Sequence, residues 1–152
     1  MKICIVGAGG RMGQMLVRQI AASRDCVLGA ATERAGSDAI RRDAGELAGL
    51  GKPGVAIGDD AAAAIAGCAA VIDFTTPAAS VRHVELAAAS GAVIVLGTTG
   101  LDAEQDAIIA QAARNVPIVK SGNMSLGVNL LVALVRRVAA ALDEEYDIEI
   151  VE

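Results

Sequence analysis

Aromatic residues are nearly absent from this 152-residue chain, which has one phenylalanine, one tyrosine and no tryptophan. Such a composition favours packing between helices and sheets over a surface built on aromatic stacking. The net charge is −5 and there is no run of basic residues. We therefore expect neither a nucleic acid nor an anionic membrane surface as a partner.

Long apolar segments and paired cysteines are lacking as well. No stretch approaches about 18–20 uninterrupted apolar residues, and Met1 and Lys2 lead directly into an apolar run. We therefore expect no membrane-spanning helix, no signal peptide and a cytoplasmic protein. Cys4, Cys26 and Cys68 are odd in number, far apart and in apolar surroundings. This pattern predicts small buried hydrophobic residues, with neither a disulfide framework nor a metal site.

Glycine is concentrated near the amino terminus, in the sequence I-C-I-V-G-A-G-G-R-M-G from Ile3 to Gly13. An apolar run precedes the glycines, and Met12, Leu16 and Ile20 follow with helical spacing. A strand, a glycine-rich turn and a helix in this order suit the diphosphate of a dinucleotide, because glycine permits close approach of main-chain N–H groups. The spacing departs from the usual G-x-G-x-x-G, since Met12 stands where the third glycine is expected.

An acidic residue, Glu33, follows the last glycine by about 20 positions, after a second apolar run from Val27 to Ala31. A carboxylate at this place accepts hydrogen bonds from the adenosine ribose of NAD, whereas the adjacent Arg34 can pair with the 2′-phosphate of NADP. Together they predict that both cofactors are accepted. By itself, such a pair is more typical of a solvated loop with a surface ion pair, and it is the distance from Gly13 that favours the cofactor interpretation.

Apolar runs and helical patterns alternate along the rest of the chain to about residue 142. Further strands are predicted at 55–57, 71–74, 93–96 and 117–120, and residues 35–54 are interpreted as a long excursion with one helical turn. Continuous apolar strands are buried on both faces, which indicates a parallel sheet covered by helices on both sides. The expected fold class is α/β, a Rossmann-like doubly wound parallel sheet.

Hydroxyl residues and glycines follow several of these strands, at Thr75, at Gly97 to Gly100 and at Ser121. Because the carboxyl ends of parallel strands meet at one edge, these residues predict a single ligand site there. His83, the only histidine, is flanked by Arg82 and Glu85. We expect it to be a surface residue and not a catalytic one.

The end of the chain has a different pattern. Ser125 is a predicted cap for an apolar helix from Leu126 to Leu142, and residues 146–152 alternate polar with apolar as in a strand with one wet face. The expected division is a dinucleotide-binding domain over residues 1–127. Residues 128–152 are then a connecting helix and the first strand of an incomplete α+β domain for substrate and oligomerisation. Because a lone strand is not stable, the sequence is expected to be part of a longer protein.

Seven short motifs, in order along the chain, carry a resemblance to a known family. They are G-A-G-G-R-M-G at 7–13, E-R at 33–34, D-A-G-E-L-A-G at 43–49, D-F-T at 73–75, G-T-T-G at 97–100, N-M-S-L-G-V-N at 123–129 and D-I-E-I-V-E at 147–152. Through them the chain resembles the 4-hydroxy-tetrahydrodipicolinate reductases, also called dihydrodipicolinate reductases. These are nicotinamide-dependent enzymes of diaminopimelate and lysine biosynthesis.

The resemblance implies NADPH and NADH as cofactors, bound by three groups of residues. The pyrophosphate group is Gly7, Ala8, Gly9, Gly10, Arg11, Met12 and Gly13. The adenosine group is Glu33 and Arg34. The group around the nicotinamide is Gly97, Thr98, Thr99, Ser121, Gly122, Asn123 and Met124, with Phe74 and Thr75 nearby.

The implied reaction is hydride transfer to the ring of a small cyclic dicarboxylate, followed by protonation, in a homotetramer of the full-length protein. In the family, a histidine-rich stretch ending in lysine and a Ser-Gly-Thr segment follow the strand that matches residues 146–152. They bind the substrate carboxylates and supply the proton, and they are absent here, so no catalytic residue is predicted. Two alternatives are a freestanding nucleotide-binding module without catalysis and another small dehydrogenase of similar fold, such as one acting on aspartate.

Overall fold

The computed structural model of the chain describes residues 1–51, 54–143, 145–149 and 151. The chain divides into two compact units, Met1–Gly122 and Asn123–Glu152. The domain boundary expected after residue 127 stays a prediction. In the described part of the chain, no helix combines the length and the apolar character needed to cross a membrane.

Strands and helices alternate throughout the first unit. The strands are β1 (Lys2–Val6), β2 (Val27–Thr32), β3 (Ile57–Gly58), β4 (Ala70–Asp73), β5 (Val93–Leu96) and β6 (Ile118–Lys120). The helices are α1 (Arg11–Ala22), α2 (Ala44–Leu47), α3 (Ala61–Ala66), α4 (Pro77–Ser90) and α5 (Ala103–Ala112). The second unit contains α6 (Leu126–Ala141).

The six strands form one sheet in the order β3-β2-β1-β4-β5-β6, and every neighbouring pair is parallel. This order reverses direction between β1 and β4, and such a reversal opens a crevice at the carboxyl ends of the two strands. The predicted doubly wound parallel sheet is confirmed.

The core lies on both faces of the sheet because successive strand residues point to opposite sides. From β1, Ile3 and Ile5 pack into one buried cluster together with Val17 of α1. Cys4 and Val6 pack into the other, together with buried residues of α3, α4 and α5. A strand with apolar residues on both faces is therefore a continuous apolar run, as the sequence shows.

The cysteines are free thiols. Cys4 is fully buried, and burial, with a smaller contribution from Cys68, raises the pKa of its thiol to about 12. The predicted role as a small buried hydrophobic residue is thus confirmed for Cys4, whereas Cys26 and Cys68 are only partly buried.

Several strand boundaries differ from the prediction by one or two residues. The third strand covers Ile57–Gly58 and not 55–57, because the preceding residues pair with the excursion: Ala56 forms an antiparallel bridge with Asp43. The fourth strand ends at Asp73, one residue before the predicted end. The excursion contains the one helical turn that was expected, α2, whose first N–H groups donate to the Asp43 carboxylate.

In the second unit, Ser125 caps α6 by accepting a hydrogen bond from the Val128 N–H at 3.3 Å, so the predicted cap is confirmed. None of the residues of α6 is buried. The strand predicted over 146–152 is not formed at residues 146–149 and 151, and Ile150 and Glu152 lie outside the described residues. The physical reason is that a strand needs a paired neighbour, and the described residues of this unit supply none.

Candidate functional site

The glycine-rich turn joins β1 to α1 at the carboxyl edge of the sheet. Gly7 has a φ of +71°, a left-handed conformation that residues with side chains rarely adopt. The Gly10 N–H donates to the Gly7 carbonyl at 3.1 Å, and the Ala8 N–H donates to the Thr32 carbonyl at 2.9 Å. The first bond closes the turn, and the second attaches it to the end of β2.

Gly13 lies where the first turn of α1 crosses the glycine-rich turn. A Cβ atom at this position would stand 2.2 Å from the Gly7 carbonyl oxygen and 2.6 Å from the Ala8 Cα atom. Both neighbours are main-chain atoms, so a change of rotamer cannot relieve the overlap. Position 13 therefore requires glycine for steric reasons. Met12, which stands where the usual fingerprint has a glycine, is exposed.

The amino end of α1 is suited to an anion. Gly10 is the N-cap residue, no side chain caps the helix, and no acidic residue lies in its first turn. Arg11 and Met12 are exposed at this end. First-turn N–H donors and the positive end of the helix dipole both favour a negative group such as a diphosphate.

Glu33, which follows β2, contacts the glycine-rich turn through its carboxylate. One carboxylate oxygen accepts from the Gly9 N–H at 3.1 Å, and the other accepts from the Arg34 N–H at 3.0 Å. Each carboxylate oxygen has two lone pairs, so each can accept a further hydrogen bond from a ribose hydroxyl. Glu33 therefore fixes the turn relative to β2, a contact that the sequence spacing did not indicate.

Asp73, the last residue of β4, is a fully buried carboxylate. Its Oδ1 accepts from the Thr75 N–H at 2.8 Å and from the Thr75 hydroxyl at 2.6 Å, and its Oδ2 lies 2.8 Å from Nδ1 of His83. Burial raises the pKa of Asp73, but the hydrogen bonds from His83 and Thr75 outweigh it, and the pKa is lowered below its ordinary value. The carboxyl group is therefore ionised at neutral pH.

Two buried hydroxyl groups extend this network to α4 and β5. Ser80 Oγ donates to Thr98 Oγ1 at 2.8 Å, and Thr98 Oγ1 also accepts from the Thr75 N–H at 3.1 Å. Among the described residues, no buried side-chain nitrogen or oxygen lacks a hydrogen-bond partner. A fully satisfied buried network is rigid, so the ends of β4 and β5 and the start of α4 are fixed relative to one another.

The prediction that His83 is a surface residue is wrong. Its side chain is only 12% exposed and contacts the buried carboxylate of Asp73. Neighbouring residues on a helix point about 100° apart, so Arg82 and Glu85 are exposed while His83 faces inward. The polar flanks of the histidine were misleading because the sequence does not state which face of α4 meets the end of β4.

The turn after β4 contacts the strand ends on both sides. The Thr75 methyl group lies beside Gly7, 2.7 Å from the position that a Cβ atom of Gly7 would take. The Phe74 ring lies over Gly97, with Cε1 2.0 Å from the corresponding Cβ position. Glycines at positions 7 and 97 thus admit the two side chains next to the reversal of strand order.

A cleft of about 740 Å³ runs along this edge. The predicted site residues that line it are Gly7, Gly10, Glu33, Arg34, Phe74 and Thr75. Unpredicted polar residues also line it, namely Thr32, Asp59, Thr76, Arg82 and His83. The volume lies within the range of roughly 300–1,000 Å³ typical of small-molecule sites. No signal in the sequence identified Arg82 and His83 of α4 as cleft residues, because the direction of their side chains depends on helix packing.

The ends of β5 and β6 carry the other predicted residues of the first unit. Thr98 is buried in the hydrogen-bond network, whereas Thr99 is exposed and its methyl carbon lies 3.9 Å from the Cβ position of Gly122. The Ser121 N–H donates to the Leu96 carbonyl at 3.1 Å. These residues share the carboxyl edge with the cleft. Within the described residues, no three His, Cys, Asp or Glu side chains are placed to bind a metal ion.

Asn123 and Met124 belong to the second unit. The Asn123 Oδ1 accepts from the Ser125 N–H at 2.8 Å, and its main-chain carbonyl accepts from Asn129 Nδ2 at 2.9 Å. These contacts form the start of α6, and Met124 is exposed. A place for both residues near the nicotinamide stays a prediction.

The strand order, the glycine-rich turn after β1 and the acidic residue after β2 define the doubly wound class of dinucleotide-binding folds. The sequence model of the family described as "Dihydrodipicolinate reductase, N-terminus" matches residues 1–124. The chain belongs to this family, and the resemblance inferred from its motifs is confirmed.

Curated relatives agree with the family match. A 4-hydroxy-tetrahydrodipicolinate reductase from Rhizobium meliloti is 49% identical over 152 residues, which are 100% of this chain and 63% of that protein. The one from Ruegeria pomeroyi is 55% identical over 150 residues, 99% of this chain and 56% of that protein. The one from Brucella abortus is 54% identical, covering 100% of this chain and 57% of that protein.

The chain therefore spans 56–63% of the length of these three relatives. Among solved structures, a Plasmodium falciparum pyrroline carboxylate reductase with NADP bound has a TM-score of 0.49 and 13% identity, covering 79% of this chain and 41% of that one.

Proposed function

We propose that the cleft binds NADPH and NADH, and that the chain is the cofactor-binding part of a dihydrodipicolinate reductase. The observation that carries the proposal is the convergence on one cleft of the glycine-rich turn, the Glu33–Arg34 pair and the turn after β4. The glycine-rich turn suits a diphosphate, and the Glu33–Arg34 pair suits an adenosine ribose with or without a 2′-phosphate. Open α/β sheets bind their ligands at this edge.

In this proposal the cofactor extends across the reversal of strand order. Residues 7–13 bind the pyrophosphate, and Glu33 accepts hydrogen bonds from the ribose diol with the lone pairs that the Gly9 and Arg34 N–H groups leave available. Arg34 is exposed beside the cleft and pairs with the 2′-phosphate of NADPH. Residues 97–99 and 121–122 lie toward the nicotinamide, and the same role for Asn123 and Met124 is proposed from the resemblance alone.

For the longer protein we propose the reduction of a small cyclic dicarboxylate, the compound in the names of its relatives, with the bound nicotinamide supplying a hydride. This chain contributes cofactor binding, and no catalytic residue is assigned to it. A dicarboxylate needs cationic partners, and this sequence has few of them after Gly100, namely Arg114, Lys120, Arg136 and Arg137. Lys120 is already paired with Asp106. The small number of cationic groups agrees with the absence of the family's substrate-binding segment. We also propose a homotetramer for the full-length protein, from the resemblance, and the cytoplasmic location that the sequence pattern led us to expect.

The first prediction concerns cofactor choice. In calorimetric titrations we expect the wild-type chain to bind both NADPH and NADH. The variant Arg34→Ala should lose about tenfold in NADPH affinity, because one charge-assisted contact to the 2′-phosphate is removed, and should keep its NADH affinity. Arg114→Ala, which removes an exposed arginine beyond α5, is the matched control and should behave as wild type. Failure of the wild type to bind either cofactor would refute the proposal.

The second prediction concerns turnover. We expect no steady consumption of NADPH, followed by its absorbance, when the 152-residue chain is mixed with freshly prepared substrate. The reason is that the family's substrate-binding and proton-donating segment has no counterpart in this sequence. The full-length Rhizobium meliloti relative, assayed in parallel, shows that the substrate is competent. Sustained oxidation by the short chain would mean that its own residues complete the site.

A further inference from the structure

The contact between Asp73 and His83 lies beside the cleft and has no part in the proposed cofactor contacts. Asp73 is fully buried, whereas His83 is slightly exposed and lines the cleft. The only described side chain within hydrogen-bonding distance of Asp73 Oδ2 is His83, at 2.8 Å, while Oδ1 accepts from Thr75. The two oxygens of one carboxylate therefore connect α4 to the turn after β4.

The connection continues to the glycine-rich turn. Thr75 donates to Asp73 through both its main-chain N–H and its hydroxyl, which fixes its χ1 angle. In that rotamer the Thr75 methyl group lies against Gly7. A series of direct contacts thus runs from His83 through Asp73 and Thr75 to the turn that the pyrophosphate is proposed to occupy.

We propose that His83 is a positioning residue of the cofactor cleft, and this inference rests on the proposed binding of NADPH. By donating from Nδ1 to the ionised Asp73, it keeps the carboxylate in the orientation that fixes Thr75 against the glycine-rich turn. Without this donor, Oδ2 is a buried charged oxygen with no partner, which is strongly unfavourable. The carboxylate then turns toward water, and Thr75 is released from its position beside Gly7.

The test compares two variants of His83 with a control for general loss of stability. His83→Leu removes the donor, whereas His83→Asn keeps one, because the Asn Nδ2 takes the place of the imidazole Nδ1. Ile109→Val shortens a buried side chain on α5 and lowers stability without touching the network. For each folded protein we would measure the NADPH dissociation constant by calorimetry and the hydrogen-exchange rate of the Thr75 amide without cofactor.

We expect His83→Leu to weaken NADPH binding about tenfold, the effect of losing one hydrogen bond to a charged group, and to speed exchange at Thr75. His83→Asn should restore most of the NADPH affinity and most of the slow exchange at Thr75. Ile109→Val should leave the affinity and the exchange rate unchanged. Wild-type affinity in His83→Leu, or no recovery in His83→Asn, overturns the inference and leaves cofactor binding intact. If the wild type itself does not bind NADPH, both proposals fail.

If His83→Leu does not fold, Thr75→Val tests the same connection at its other end. Valine keeps a methyl group beside Gly7 but removes the hydroxyl that donates to Asp73. Weaker NADPH binding together with faster exchange of the residue-75 amide in this folded variant supports the inference. An unchanged dissociation constant, or weaker binding without faster exchange, overturns it.

Discussion

Replacing Gly13 by alanine is expected to lower the free energy of unfolding by about 1–3 kcal/mol, the usual cost of forcing extra volume into a packed site. The added Cβ atom would stand 2.2 Å from the Gly7 carbonyl oxygen, so α1 and the glycine-rich turn must move apart. Several main-chain N–H donors are then misplaced together, each worth on the order of 1 kcal/mol. We therefore also expect NADPH binding to weaken by at least about tenfold.

Urea denaturation and calorimetric titration measure the two effects. Gly67→Ala is the matched control, because Gly67 has a φ of −84° and the nearest atom to its Cβ position is the Ala63 carbonyl oxygen at 3.6 Å. This control should retain wild-type affinity and stability. If Gly13→Ala behaves like the control, the close approach of α1 to the turn is not needed for cofactor binding.

Replacing Asp73 by alanine is expected to have the largest effect on stability, a loss of about 3–5 kcal/mol, typical of breaking a buried pair by removing one partner. The substitution leaves the inward-facing His83 and the Thr75 hydroxyl without their acceptor. Asp38→Ala, which removes an exposed carboxylate, is the control and should be nearly neutral. Urea denaturation at neutral pH measures both differences.

The same variant should change the response to acid. Because the folded-state pKa of Asp73 is lowered, its stabilising contribution is fully present above the unfolded-state pKa, near pH 4. That contribution is lost as the pH falls through the lower, folded-state pKa. The wild type should therefore lose stability more steeply than Asp73→Ala below about pH 4. Equal slopes for the two proteins in this range would show that Asp73 is not held ionised by its hydrogen bonds.

Much of the fold followed from local patterns. Continuous apolar runs at β1, β4 and β5 predicted strands buried on both faces, and the two core clusters on either side of the sheet account for them. The cap of α6 was also readable, since Ser125 precedes that helix. In this case the deciding interaction is between residues close in sequence.

Other features depended on residues far apart in sequence. The start of β3 shifted because Ala56 pairs with Asp43 in the excursion, a contact that no local pattern announces. At the described residues after 145, the expected strand is not formed because pairing requires a neighbour. His83 was misjudged because its direction is set by the packing of α4 on the end of β4.

The sequence alone determined the fold class and the family. It also identified two principal parts of the candidate cleft, which are the glycine-rich turn and the Glu33–Arg34 pair. These depend on periodicity, on glycine and on short spacings, which the chain carries locally. Only the tertiary structure decided why Gly13 must be glycine, that Glu33 also fixes the turn, and that Asp73, Thr75 and His83 form one hydrogen-bonded network. The physical reason is that steric overlap, burial and hydrogen-bond partners are properties of atoms brought together by folding.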